Sequence, residues 1–142
     1  ILYGFDMSIN YNFFDGFTLT GSASFVRGRD TRNETNLPLI PPFNGRLGIR
    51  YQIPKISGVE FYVNMTADQD KIGSGEKETT GYASYDLKLF SVPVQLGFTK
   101  LKIFGGIENI TDRAYINHLG TNRGIIKYEP GRNFYIKLRV EF

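Results

Sequence analysis

Cysteine does not occur among the 142 residues, which excludes disulfides and thiolate metal sites. Tryptophan is missing as well, and histidine occurs once, as His118. No run of ~18 apolar residues exists, so no helix is long and apolar enough to cross a membrane. Membrane-crossing strands are not excluded, because their alternation keeps mean hydropathy low and the signal per segment weak. Charge of one sign is never concentrated. The 17 Lys and Arg stand against 14 Asp and Glu along the chain, with no basic block to mark a nucleic-acid partner. A basic-then-apolar leader is also absent. Ile1 opens directly inside a strand pattern, so the sequence reads as a piece of a longer chain.

What is present is aromatic and glycine-rich, with 12 Phe, 9 Tyr and 16 Gly, a composition suited to strands and tight turns. The last ten residues set the pattern. Phe134, Ile136, Leu138, Val140 and Phe142 alternate with Asn133, Tyr135, Lys137, Arg139 and Glu141, giving a strand one apolar and one polar face. The same period-2 pattern predicts strands over 1–13, 17–25, 47–53, 59–67, 83–89 and 100–108, with Phe104 out of step in the last of these. Short turns are predicted at 14–16, 54–58 and 91–98, and long polar loops at 27–44, 69–80 and 111–132. Pro38, Pro41 and Pro42 bar a central strand from the first of those loops.

Three features combine. The apolar face of each of the seven predicted strands carries no charge, the connections alternate short and long, and aromatics such as Phe13, Phe14, Phe17, Tyr51 and Phe90 gather beside the short turns. That arrangement fits an all-β, antiparallel up-and-down transmembrane β-barrel, with short turns on one side, long loops on the other and aromatic girdles between. Alternation alone is equally compatible with a soluble β-rich binding module, which solubility without detergent would reveal. An odd number of strands also requires further strands to close a barrel, because bare edges in hydrocarbon are costly.

The last forty residues carry a resemblance. Residues 107–115 (IENITDRAY), then 129–134 (EPGRNF), then the final Phe142 resemble the C-terminus of TonB-dependent outer-membrane receptors. Residues 38–42 (PLIPP) followed by Gly45, Arg46 and Leu47 resemble an earlier loop-to-strand junction of the same receptors, while Ile110 and Thr111 depart from the usual Leu-Phe. The resemblance implies a barrel of about 22 strands, of which residues 1–142 supply the last seven, with the plug domain and the TonB box outside this chain. It further implies location in the bacterial outer membrane and import of a scarce, bulky ligand, most often a ferric siderophore or another metal chelate. Haem, copper chelate, cobalamin and glycan are carried by related receptors. The implied partners are membrane lipid and lipopolysaccharide, the TonB energy-transducing complex and the barrel assembly machinery. Phe134, Ile136, Leu138, Val140 and Phe142 resemble the strand signal that this machinery reads. Asn109, Asp112 and Gly131 are read as a structural turn, not as ligand contacts.

Catalysis is not expected. His118 has no accompanying nucleophile elbow, and Gly73-Ser74-Gly75 lacks the remainder of a phosphate loop. An outer-membrane barrel enzyme is the alternative, but such enzymes are complete small barrels. No cofactor is expected, and no metal site either, since Met7 and Met65 fall on apolar faces. Arg27, Arg29, Arg32, His118, Arg123 and Lys127 fall on the predicted long loops and are the candidate contacts for an anionic chelate. The plain alternative is that they are solvated or bridge lipopolysaccharide phosphates.

Overall fold

A computed structural model describes residues 1–122 and 127–142. Its strands are β1 (Leu2–Phe14), β2 (Phe17–Asp30), β3 (Thr35–Asn36), β4 (Asn44–Ile53), β5 (Ser57–Thr66), β6 (Tyr82–Ser91), β7 (Val94–Leu96), β8 (Thr99–Glu108) and β9 (Asn133–Glu141), with one short helix, α1 (His118–Asn122). All pairings are antiparallel, and neighbours in sequence are neighbours in space: β1-β2-β4-β5-β6-β8-β9, with β3 on β2 and β7 on β8. This is an up-and-down arc of barrel wall, open at both edges within these residues.

Period-2 alternation becomes a two-faced wall because the register aligns every strand in phase. One row runs Tyr11, Leu19, Ile49, Phe61, Leu87, Ile107, Phe134 across seven strands, each residue paired with the next. The adjacent row runs Asn12, Thr18, Arg50, Glu60, Lys88, Gly106, Tyr135 on the other face. A slip of one residue anywhere would exchange the two rows. No second layer covers the apolar row. Among the described residues no hydrophobic side chain is buried, and Ile136 is 83% and Phe134 67% exposed. A soluble sandwich would bury this face; a bilayer covers it without protein.

Aromatic contacts knit the short-turn end. Phe13, Phe14, Phe17 and Tyr51 form a chain of ring contacts, the Phe17–Tyr51 pair stacked at 4.4 Å. Gly16, at φ 80°, closes the β1–β2 turn, a conformation glycine adopts without strain.

The seven expected strands are all present, with β3 and β7 as short additions. Three sequence expectations need correction. The predicted turn at 91–98 holds β7, which folds back on Thr99–Leu101 through Gly97 at φ 64°. Strand β2 runs on to Asp30, so Arg27 and Arg29 lie in a strand and not in a loop. They fall on the apolar face, beyond its apolar band, Arg27 paired with Tyr3. Backbone pairing does not need apolar side chains, and the amide of Arg29 bonds to the carbonyl of Ile1. Finally, the loop 111–132 contains α1, whose first turn is capped by Asn117 Oδ1 accepting from the amides of Leu119 (3.1 Å) and Gly120 (3.2 Å).

Candidate functional site

The three long connections meet at one end of the sheet, and what binds them is polar. Glu76 reaches across 37 residues to accept from the amide of Leu39 at 2.7 Å, while its other oxygen accepts from the amide of Gly73 at 2.7 Å. That bond holds Leu39 at φ 58°, a left-handed conformation unfavourable for a leucine. His118, only 2% exposed, sets Nδ1 3.1 Å from Thr79 Oγ1 and Nε2 3.8 Å from Glu76. Gln69 pairs with Thr79 through the backbone and donates its side-chain amide to the carbonyl of Ile40 at 2.7 Å. Gly73 packs so closely on Pro38 that a Cβ there would sit 2.6 Å from its backbone. The result is a clasp joining the loops around Leu39, Glu76 and His118. Burial holds the His118 imidazole below its ordinary pKa, although the Glu76 carboxylate pulls the other way.

The polar face below the clasp is divided by charge. Toward the long loops, Asp86, Glu108 and Glu129 line a recess of about 440 Å³ beside the stacked rings of Tyr82 and Tyr115, whose centroids are 4.1 Å apart. Burial pushes the Tyr115 hydroxyl pKa up, and Tyr82 and these carboxylates add to the effect. Toward the short turns the charge reverses. Arg50, Lys88, Lys100, Lys102, Lys137 and Arg139 stand on this face with only Glu60 and Glu141 among them. Three aromatic rings there lie flat, each over the glycine paired with it: Tyr62 on Gly48, Phe90 on Gly58, Tyr135 on Gly106. Any Cβ on those glycines would come within 2.7 Å of the ring or closer, so the glycines are what let the rings lie down. Cations cover two of these rings, Tyr62 and Phe90, and the neighbouring Phe104. Arg46 sits 3.9 Å from the Tyr62 centroid, Arg50 4.5 Å from Phe90, Lys102 5.0 Å from Phe104 and Arg139 5.7 Å from Phe104. Phe104, out of step with the apolar alternation, belongs to this polar-face layer.

Comparison with known proteins fits this wall. The family described as "TonB dependent receptor-like, beta-barrel" matches residues 1–110. The chain belongs to the TonB-dependent receptor β-barrel family. Among solved structures, a protein named copper transporter OprC superposes with a TM-score of 0.83 at 21% identity, over 96% of this chain and 23% of that one. The likeness establishes a shared fold, and the chain spans about a quarter of that protein's length. No match is found among curated proteins.

Within this TonB-dependent receptor wall, the six candidate ligand contacts are not gathered into one site. Arg27 and Arg29 stand in β2 on the outward, apolar side. Arg32 is exposed, its amide bonded to Asp30 at the loop tip. His118 is buried in the clasp. Lys127 is exposed, 5.6 Å from the Tyr128 ring. Arg123 lies outside the described residues. The turn read as structural does form: Asn109, 4% exposed at φ 50°, donates to the carbonyl of Arg113 (2.9 Å) and accepts from its amide (3.0 Å). Asp112 accepts from the amide of Arg132 at 2.8 Å, packed against Gly131. Sequence reading missed the clasp residues Glu76, Thr79 and Gln69, the acidic recess and the cationic strip. Of these only the strip had a sequence signal, in the basic residues at alternate positions of the last two long strands.

Proposed function

We propose that residues 1–142 form the C-terminal part of the barrel of a TonB-dependent transporter, one that imports a scarce, bulky metal chelate across the bacterial outer membrane. The observation that carries the reading is the seven-strand apolar row from Tyr11 to Phe134, uncovered by protein. Membership of the receptor family supports it. A ferric siderophore is the expected ligand class. A copper chelate is kept beside it because copper is what the similar solved transporter is named for. The plug and the segment that engages the TonB complex belong to the remainder of the parent protein. Lipid and lipopolysaccharide surround the barrel, and Phe134, Ile136, Leu138, Val140 and Phe142 form the strand read by the assembly machinery. This reading involves no catalysis.

Capture of an anionic chelate falls to the exposed cations Arg32, Arg123 and Lys127, with Arg27 and Arg29 at the outer rim and His118 holding the loops in place. Exposed charges act mainly on encounter and are screened over ~8 Å at physiological salt. The test is equilibrium binding of labelled ferric siderophore, haem, cobalamin and a copper chelate to the full-length receptor at low and high salt. Neutralising Arg123 and Lys127 together is expected to weaken capture at low salt more than at high salt, with barrel assembly unchanged. Binding of a glycan or peptide and of no chelate would leave the importer class and remove the metal.

A further inference from the structure

Directly beneath the clasp, beside the acidic recess, lies a second recess of different chemistry. Ser22, Arg46 and Asn64 form one row of the polar face, each paired with the next across β2, β4 and β5. The clasp roofs that row with Pro42, Asn117 and His118, and about 450 Å³ is enclosed between floor and roof. That volume is within the ordinary range of small-molecule sites.

Arg46 is the anomaly in this floor. Its Nε is buried and meets no hydrogen-bond acceptor, and among the described residues Arg46 forms no ion pair. What it has is the ring of Tyr62, 3.9 Å away, a weaker partner for a guanidinium than a carboxylate is. Asp86, two strands along, is already engaged by Asn64 Nδ2 (2.9 Å) and the amide of Asn109 (3.0 Å). A desolvated guanidinium nitrogen without an acceptor is costly, and such a group calls for a partner from outside the wall. In the roof, Asn117 commits its side-chain oxygen to the amides of Leu119 and Gly120, which leaves its Nδ2 as a second donor.

Charge decides which anion fits. The guanidinium is a planar fork of N–H donors that matches the two oxygens of a carboxylate. Among the described lining residues Arg46 is the only Lys or Arg, and burial keeps His118 neutral. The recess also shares Asn64 and Tyr82 with the one lined by Asp86, Glu108 and Glu129. A phosphate dianion there would face three carboxylates with one positive charge to hold it, whereas a single carboxylate is matched by that one charge.

We propose that this recess binds a free carboxylate, with Arg46 as its counter-charge, and so selects imported molecules that carry one. The proposal rests on the importer reading above and adds to it a subsite below the loops and the chemical group that occupies it.

Succinate, with its uncharged analogue succinamide, tests this on the full-length receptor by ligand-observed saturation-transfer NMR. Wild-type receptor is expected to bind succinate and not succinamide, Arg46→Lys to bind it more weakly and Arg46→Gln to lose it, with heat-dependent gel mobility unchanged in all three. Modification of Arg46 by phenylglyoxal, mapped by peptide mass, gives a readout without a variant. At ~20 mM succinate, well above a Kd of ~1 mM, the reaction at Arg46 is expected to slow about tenfold or more, while Arg50, 3.4 Å from Glu60, reacts at the same rate with or without succinate. Absence of succinate binding to the wild-type receptor, or undiminished binding to Arg46→Gln, would overturn the proposal. Stronger protection of Arg46 by inorganic phosphate than by succinate would overturn it too, making the recess a general small-anion site. Succinate binding that depends on Arg46 in a receptor that binds no metal chelate would uphold the recess and remove the chelate reading, so the two fail separately.

Discussion

An arginine at Val63 tests which side of the wall meets lipid. Strand β5 has 10 residues; at ~3.4 Å per residue and a tilt of ~45° it climbs ~24 Å, close to the ~25 Å apolar band of a barrel. Val63 lies ~14 Å above Ser57 on that scale, within ~2 Å of the middle. It is flanked in its row by Leu47 and Tyr85, neither of which offers a charge partner. Arginine near the midplane of a barrel's lipid face costs ~2–4 kcal/mol, a ~30- to ~1000-fold shift in the folding equilibrium. The neighbouring Asn64→Arg is the control. It loses hydrogen bonds to Ser84 Oγ (3.2 Å) and Asp86 Oδ2 (2.9 Å), worth about 1–2 kcal/mol together, and regains part of that by facing Asp86. Met65→Arg, one step nearer the rim on the lipid side, is expected to fall between the two. The assay is urea-dependent folding of the full-length receptor into lipid vesicles, followed by heat-dependent gel mobility. Equal cost for Val63→Arg and Asn64→Arg, or no dependence on depth between Val63 and Met65, would refute the lipid-facing assignment.

The clasp is expected to loosen in acid. Because burial keeps His118 neutral, the unfolded loop takes up a proton near its ordinary value of ~6.5 while the folded one does not. Its contribution is therefore whole above that pH and declines as pH falls toward the lowered folded value. Protection of the Leu39 and Thr79 amides, taken relative to the intrinsic exchange rate at each pH, should fall between pH 7.5 and 5, and His118→Gln should flatten the profile; an unchanged profile in the variant would clear His118 of the role. Glu76→Ala removes two charged acceptors at once, so it should destabilise the loops by ~2–4 kcal/mol without altering barrel closure, as read by exchange and gel mobility. Deleting Phe142 from the full-length protein should lower outer-membrane yield more than Glu141→Ala does, and equal yields would remove the assembly role from the last residue.

The wall was legible in the sequence because its cause is local. A strand's two faces follow from covalent geometry, so alternation at Phe17, Leu19, Gly21, Ala23 and Phe25 already states which side chains share a face. The Asn109–Arg113 turn was legible for the same reason, its partners lying four residues apart. Strand β2 outran its apolar signal because a ladder beyond the apolar band is held by backbone bonds, to which Arg27 and Arg29 contribute as well as any apolar residue. The clasp was not legible at all. Thr79 meets His118 across 39 residues and Glu76 meets Leu39 across 37, and no local pattern marks a glutamate that shares itself between the Gly73 amide of its own loop and the Leu39 amide of another. The cationic strip lay between these cases. Strands β4, β6, β8 and β9 displayed their lysines and arginines at the right parity, but only the register between strands set Gly48 beneath Tyr62 and Gly58 beneath Phe90, laying the rings flat for the cations to cover. Faces come from the chain's own geometry, whereas partners come from register and loop closure, which depend on every strand at once.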